Sequence, residues 1–473
     1  MIDNIILINP YYQNRIRSIA QVSIGPPLGL AYIAAVLEQN GYKVAIIDAN
    51  AEKLSEEEVL CRIMHVKPAL IGLTAVTPTI HICYSIAKKI KKEEPSIITV
   101  IGGVHATSLP KETLNECVDF DFLVKGEGEF TLIELVDALS KNKALSYIKG
   151  LVYRENGKIV INDTREAVLD LDIFPFPSRQ LLPNRLYKTI DSDRMTCIIA
   201  MRGCAARCIY CAVEEVAGRK LRRRSPSNVI KEIESCFYNY GVRFIAFLDD
   251  TFTFDKMWVH KFCDEFREAR FHKYVKWSCL TRVDNVDPDL LKHMKQAGCV
   301  RVEFGIESGS QEILDLLKKG ITVKQIRDAF NMAKEAGLSN LGFAMLNAPG
   351  ETIRTVAETK KLIMDLDPDF LQLSFATPYP GTELFEICER DNLLISKDWS
   401  KYIFLNHQLI RNKNLSENKL KKCMWDIQRS FYLRPRYILR TLIYMLRNIG
   451  TAKTIIWAGM NALKLLFKNR KTQ

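Results

Sequence analysis

Long apolar runs are missing from this 473-residue chain: no stretch of about eighteen or more apolar residues occurs, so no segment is expected to cross a bilayer as a helix. Acid is missing from the carboxyl end. From Ile427 onward there are ten Lys and Arg and no Asp or Glu, so the rest of the chain holds 57 basic against 55 acidic residues and the net charge of +12 belongs almost wholly to the tail. Paired cysteine spacing is missing too. The thirteen cysteines are scattered apart from one cluster, and Met1-Ile-Asp-Asn opens straight into a strand-like run with no secretory pattern, so a reducing, cytoplasmic setting is expected. No internal repeat or low-complexity tract occurs. A length of 473 residues with 47% apolar composition implies a globular protein of two or three domains.

The exceptional cysteines lie in Met201-Arg-Gly-Cys-Ala-Ala-Arg-Cys-Ile-Tyr-Cys211, spaced C-x3-C-x2-C after an apolar, strand-like stretch. Three thiolates on one loop, Cys204, Cys208 and Cys211, can ligate a four-iron cluster and leave one iron open to a small molecule. The alternatives are a zinc knuckle completed by a distant histidine, and three unligated thiols.

Residues 1–142 alternate apolar runs with amphipathic stretches. Ile5 to Ile8, Val44 to Ile47, Leu70 to Thr74, Ile97 to Ile101 and Phe120 to Val124 read as strands of an open parallel sheet, with a ligand crevice beyond their carboxyl ends. Two glycine sites stand at such ends, Ile101-Gly-Gly-Val-His-Ala-Thr107 and Lys125-Gly-Glu-Gly-Glu129. Glycine there either lets a ligand approach the backbone or serves a turn that needs positive φ. Residues 143–194, with a hairpin pattern around Arg154-Glu-Asn-Gly157, read as a linker. Residues 195–400 contain six more strand-helix units, with strands near 196–200, 243–248, 275–280, 300–306, 340–346 and 370–376, which predicts a partial barrel whose strand ends surround one cavity. Residues 401–473 read as helical and basic, with amphipathic stretches around Tyr432 to Arg447 and from Ile455 to Phe467.

With its aromatic Tyr210 before the last cysteine, the loop resembles the signature of radical S-adenosylmethionine (SAM) enzymes. That resemblance implies a [4Fe-4S] cluster on Cys204, Cys208 and Cys211, with SAM on the open iron. The first domain resembles the cobalamin-binding domain often fused ahead of such enzymes, as in class B radical SAM methyltransferases and the anaerobic magnesium-protoporphyrin monomethyl ester cyclase. The implied fold is α/β: a Rossmann-like doubly wound sheet, a partial (βα)6 TIM-like barrel and a helical carboxyl-terminal region.

By that resemblance Thr74, Gly102, Gly103, Gly126 and Glu127 contact cobalamin, and Pro27-Leu-Gly-Leu30 matches a further stretch of the architecture. One departure is that cobalamin domains that ligate cobalt with a protein imidazole carry an Asp-x-His-x-x-Gly motif after the first strand, where this chain has Asn9-Pro-Tyr-Tyr-Gln-Asn-Arg15, so that either cobalt lacks a histidine lower ligand or the domain is vestigial. His105 is the substitute candidate, with local or tail hydrogen bonding as the other reading. For SAM the resemblance implies Tyr210, Asp249, Asp250, Arg282, Glu307 and Ser308, with Pro349 and Gly350 near adenine. Glu303 joins them because Glu303, Gly305 and Glu307 share one strand face by the period of two. Buried carboxylates need partners, for which ribose hydroxyls and Arg282 are the candidates, or else an internal salt bridge. One of Asp249 and Asp250 is also a candidate helix cap. Tyr379, in the loop after the sixth barrel strand, reads as packing.

The basic run Arg219-Lys-Leu-Arg-Arg-Arg224 reads as a shield for anionic cofactor groups or a solvated face. No nucleic acid is expected, since aromatic interleaving is absent. The expected activity is C-methylation of a hydrophobic or lipid substrate, with oxidative cyclisation or hydroxylation as the second reading and a cluster-containing binding or redox protein as the third. An electron donor such as flavodoxin or ferredoxin is implied. The basic tail predicts either contact with an anionic membrane face or packing over the barrel mouth.

Overall fold

The computed structural model describes residues 2, 4–12, 23–403 and 407–447. Five parallel strands, β1 (Asn4–Asn9), β2 (Lys43–Asp48), β3 (Leu70–Thr74), β4 (Ile98–Gly102) and β5 (Phe122–Val124), stand in the order β2-β1-β3-β4-β5. Parallel strands covered on both faces read as unbroken apolar runs, as Ile5 to Ile8 do here. Ile5 and Leu7 pack on one face with the helix Leu28–Gln39, while Ile6 and Ile8 pack on the other with Val59, Ile63, Ile80 and Cys83. The strand order reverses between β1 and β3, which places the ligand crevice beyond their carboxyl ends.

The segment read as a linker is tightly bound to the first domain. Its hairpin, β6 (Leu151–Glu155) and β7 (Lys158–Ile161), extends the first sheet antiparallel to β5, because Leu151, Val152 and Tyr153 are apolar enough to bury. Farther along, Lys188 bridges Ile24, and Arg179 is buried in an ion-paired triad with Glu232 and Arg224.

The second sheet begins with β8 (Met195–Ile198). The short β9 (Met201–Arg202) and β10 (Arg222–Arg223) form a separate antiparallel ladder. The remaining strands are β11 (Phe244–Phe247), β12 (Lys276–Thr281), β13 (Cys299–Glu307), β14 (Ser339–Leu346) and β15 (Phe370–Phe375). They pair in parallel and in sequence as β8-β11-β12-β13-β14-β15, the predicted partial barrel. Val302, Phe304 and Ile306 join the core under the outer helices, so Glu303, Gly305 and Glu307 face the concave side. Met195, Cys197 and Phe244 join the core of the first domain, which therefore covers the concave side near β8 and β11.

Beyond the barrel, Trp399, Tyr402 and Leu409 return to pack on the first domain, while Leu420, Met424, Ile427 and Phe431 of the helix Glu417–Tyr432 cover the outside of the barrel. The helix Pro435–Arg447 is anchored at the amino end of β15, where Arg434 and Arg440 pair with Asp367 and Arg440 also pairs with Asp369. The expectation that the tail covers the barrel mouth is thus corrected for the described residues: this helix sits at the opposite end of the strands. The stretch from Ile455 to Phe467 lies outside the described residues. No helix among the described residues is long and apolar enough to cross a membrane.

Candidate active site

The cysteine loop leaves the sheet through the β9–β10 ladder, which closes its neck. Gly203 makes that neck possible: its φ is +93° and a Cβ there would lie 2.4 Å from the Lys220 carbonyl. The loop is fastened by Cys204 N to Gly218 O (3.3 Å), Cys211 N to Cys208 O (3.2 Å) and Ile209 N to Leu317 O (3.1 Å). All three cysteines are free thiols, with Cys211 opening to solvent. Burial, with smaller contributions from Asp250, Cys208 and Cys204, pushes the Cys211 thiol up to about 11. A cationic metal reverses that balance, because crowded sulfurs then become ligands. Among the described residues no three His, Cys, Asp or Glu side chains close on one point. A cluster takes each sulfur to a different iron, so its ligands need not converge on one point.

Asp249 and Asp250 follow β11 but part company. Asp249 is buried: its Oδ1 accepts the amides of Ala200 (3.0 Å) and Met201, so it fixes the backbone leading into the cysteine loop, while its Oδ2 has no hydrogen-bond partner. Burial raises its carboxyl to about 8. Asp250 lies on a cavity wall, and burial raises it to about 6.

At the end of β13, Glu307 adopts a left-handed φ of +57° and meets the Lys319 ammonium at 2.8 Å. The Arg282 expected as its partner is held instead by Asp284 at 2.9 Å, donates to the Lys319 carbonyl at 2.8 Å, and places Nη1 3.9 Å from the Cys208 sulfur. Lys319 also donates to the Tyr210 hydroxyl at 3.2 Å. Burial, then Glu307 and Cys208, push the Tyr210 phenol well up. Glu303 is bound to Arg301 at 3.1 Å, and Arg301 also meets Asp191 at 2.6 Å, the internal salt bridge of the two alternatives. Ser308 is buried against Thr359, its Oγ 3.1 Å from the Thr359 Oγ1. Pro349 and Gly350 lie in the loop after β14, with the Gly350 carbonyl accepting from Asn414 at 3.4 Å. Tyr379 packs against Tyr402.

The carboxyl ends of both sheets converge on a cavity of about 510 Å³. Thr74, Gly102, Gly103, Gly126 and Glu127 line it from the first domain; Ile199, Met201, Arg202, Ala212 and Asp250 line it from the barrel side of the cysteine loop. Its size suits a cofactor-sized ligand and its wall is chiefly apolar. A Cβ on Gly126 would meet nothing within 4 Å, so that turn opens freely, whereas Gly103 is required by its own fold: φ is +95° and a Cβ would lie 2.6 Å from the Ala75 carbonyl. The Thr107 hydroxyl accepts from Gly126 N at 3.0 Å and couples the two glycine turns.

His105 is the cobalamin candidate that the structure sets apart. It is buried outside the cavity lining, edge-on to Trp399 at 5.3 Å, with neither ring nitrogen hydrogen-bonded. Burial, then His81, lower it to about 4. The basic run is divided: Arg222 and Arg224 are buried and pair with Glu127 and Glu232, whereas Arg219 and Arg223 are exposed and pair with Glu214 and Asp255, and Lys220 is exposed.

Two groups escaped the sequence reading. Lys319 carries no local signal beyond Lys318-Lys319-Gly320. Arg202 bridges the domains, reaching Glu129 at 2.7 Å and Glu127 at 3.2 Å while lying over the rings of Tyr32 and Phe174. Its position directly before the cysteine loop was the one available hint.

Comparison with known proteins agrees with this geometry. The Radical SAM superfamily model matches residues 198–363 and the B12 binding domain model matches residues 18–136. The uncharacterized methyltransferase PH0819 of Pyrococcus horikoshii is 36% identical over 438 residues, covering 93% of this chain and 94% of that protein. The chain belongs to the cobalamin-binding radical SAM enzymes. The family's cofactors are therefore those of this chain: a [4Fe-4S] cluster, SAM and cobalamin. Another relative, the anaerobic magnesium-protoporphyrin IX monomethyl ester cyclase of Cereibacter sphaeroides, is 29% identical and covers 91% of this chain and 70% of its own length. The fold is shared with the cobalamin-dependent SAM radical enzyme OxsB bound to aqua-cobalamin and SAM, at a TM-score of 0.73 and 15% identity over 99% of this chain and 80% of that one. It is also shared with the methyltransferase TsrM of Kitasatospora setae, at a TM-score of 0.72 and 18% identity over 92% and 89%.

Proposed function

We propose that this enzyme is a cobalamin-dependent radical SAM C-methyltransferase whose cluster is held by Cys204, Cys208 and Cys211. The observation that carries the reading is the shared cavity: one wall belongs to the cobalamin-type crevice and the other to the residues flanking the cysteine loop. Methyl transfer to a substrate radical demands such adjacency. When bound, the cluster and SAM supply a hydrogen-abstracting carbon radical, and cobalamin supplies the methyl group.

The chain's own residues bind, orient and exclude water. Asp249 fixes the approach to the cysteine loop, and Asp250 and Glu307 offer carboxylates for the SAM ammonium. Thr74 and the glycine turns accept the corrin and its tail. Among the described residues no histidine lines the cavity, so this wall would offer bound cobalamin no imidazole. The apolar wall suits a hydrophobic substrate.

Anaerobic purification tests the core of the reading: about four iron and one cobalt per chain are expected, and C208A should lose both the iron and 5'-deoxyadenosine formation. Product mass decides the reaction. A gain of one methylene supports methylation, whereas loss of hydrogen or gain of oxygen supports the cyclase reading, which the C. sphaeroides relative favours.

The electron enters from a flavodoxin or ferredoxin at the open side of the loop, where Cys211 and Arg207 are exposed. The helix Pro435–Arg447 contacts an anionic membrane surface through Leu439, Leu442 and Leu446, of which Leu446 is 76% exposed. Co-sedimentation with anionic vesicles should fall in an L439E/L442E variant; equal binding rejects the contact.

A further inference from the structure

The turn Leu317 to Gly320 is a cradle for the cysteine loop, held to it by two bonds and to Arg282 by a third. The Leu317 carbonyl accepts from Ile209 N at 3.1 Å, the Lys319 carbonyl accepts from Arg282 at 2.8 Å, and the Lys319 ammonium donates to the Tyr210 hydroxyl at 3.2 Å. The two residues contacted from the loop, Ile209 and Tyr210, stand between Cys208 and Cys211.

The Lys319 ammonium is a buried charge with one ionic partner, Glu307 at 2.8 Å. Burial alone would lower this ammonium, but Glu307 and the Cys208 sulfur outweigh it and hold it above its ordinary value. The backbone is arranged around the pair. Lys318 and Glu307 both adopt left-handed φ, at +50° and +57°. At Gly305 a Cβ would lie 2.4 Å from Glu307 Oε1 and 2.6 Å from Lys319 Nζ, so the pair lies across the part of the concave face that this glycine leaves open. A surface ion pair needs none of this, and a buried pair kept for stability alone is often replaceable by apolar residues.

We infer that Lys319 and Glu307 form a charge couple that sets the reduction potential of the cluster, with Lys319 favouring the added electron and Glu307 opposing it. The step concerned is uptake of one electron by the oxidised cluster from an external one-electron reductant, with no bond made or broken. A cation in a low-dielectric site stabilises the extra negative charge, and an uncompensated carboxylate there destabilises it. Lys319 is a positioning and charge-setting residue here, and the inference rests on the assignment of the cluster to Cys204, Cys208 and Cys211.

The experiment is a mediated redox titration of the reconstituted full-length enzyme, followed by the electron paramagnetic resonance signal of the reduced cluster, with iron counted for each protein. K319M should lower the ratio of reduced to oxidised cluster at fixed potential about tenfold, a negative shift of about 59 mV for one electron. E307Q should shift the midpoint the opposite way, and K319R should stay near the wild type. Shifts of the same sign, or none, in variants that keep about four iron overturn the inference. If K319M loses its iron, E307Q alone decides, since it retains the cation and must still move the midpoint upward. A wild type with no cluster signal refutes the cluster assignment instead, so the two failures are distinguishable.

Discussion

His105 and Glu232 illustrate two ways of burying an ionisable group. Glu232 lies between Arg179 and Arg224; burial would raise its carboxyl, but the two guanidiniums outweigh that and hold it below its ordinary range. His105 has no such partners, and burial with His81 lowers it from 6.5 to about 4. The unfolded chain therefore binds a proton that the folded chain refuses throughout that interval, so stability rises with pH across it and is lost on acidification. The loss approaches at most about 1.4 kcal/mol per pH unit. Denaturant unfolding at about pH 7 and pH 5 should show a smaller acid loss in H105F than in the wild type. An equal loss in both places the acid sensitivity elsewhere.

At the scale of elements, the strands were legible because parallel strands covered on both faces must be continuously apolar, and each predicted run became a strand within a few residues. The cysteine loop was legible by spacing. Partner choice was not. Glu307 was expected to meet Arg282, yet the turn after the helix Gln311–Leu316 delivers Lys319 first and leaves Arg282 to Asp284. His105 stands two residues beyond Gly103 in sequence, but the helix Val104–Ser108 carries its ring away from the cavity. Gly103 itself tests how much of the crevice depends on a single turn. In G103A a Cβ would collide with the Ala75 carbonyl and lie 2.9 Å from the Thr74 Oγ1. A cost of about 1–3 kcal/mol is expected, together with a lower cobalt content at unchanged iron. Wild-type cobalt retention in G103A would remove Thr74 and this turn from the cobalamin site.

Across the whole molecule, the decisive contacts join residues distant in sequence, which is why no local pattern announced them. Arg202 meets Glu127 and Glu129 across the boundary of the two sheets, and Arg222 holds Glu127 from the far side of the cysteine loop. These bonds tie the turn after β5 to the neck of the cysteine loop. R202M leaves two carboxylates with fewer cationic partners at the cavity wall, and loss of one member of a buried pair costs about 3–5 kcal/mol. The variant should lower the unfolding midpoint and lose cobalt before iron, measured by metal analysis after gel filtration. Parallel loss of both metals would mean that the bridge supports the whole fold and not the junction.

The placement of the helix Pro435–Arg447 at the amino end of β15 fixes an orientation as well as a contact. Both sheets direct their carboxyl ends toward the catalytic cavity, so this helix lies beneath the molecule as that cavity lies above it. An enzyme moored by such a keel would float with its mouth toward the water. If the membrane contact proposed for this helix holds, substrate would reach the cavity from the aqueous side.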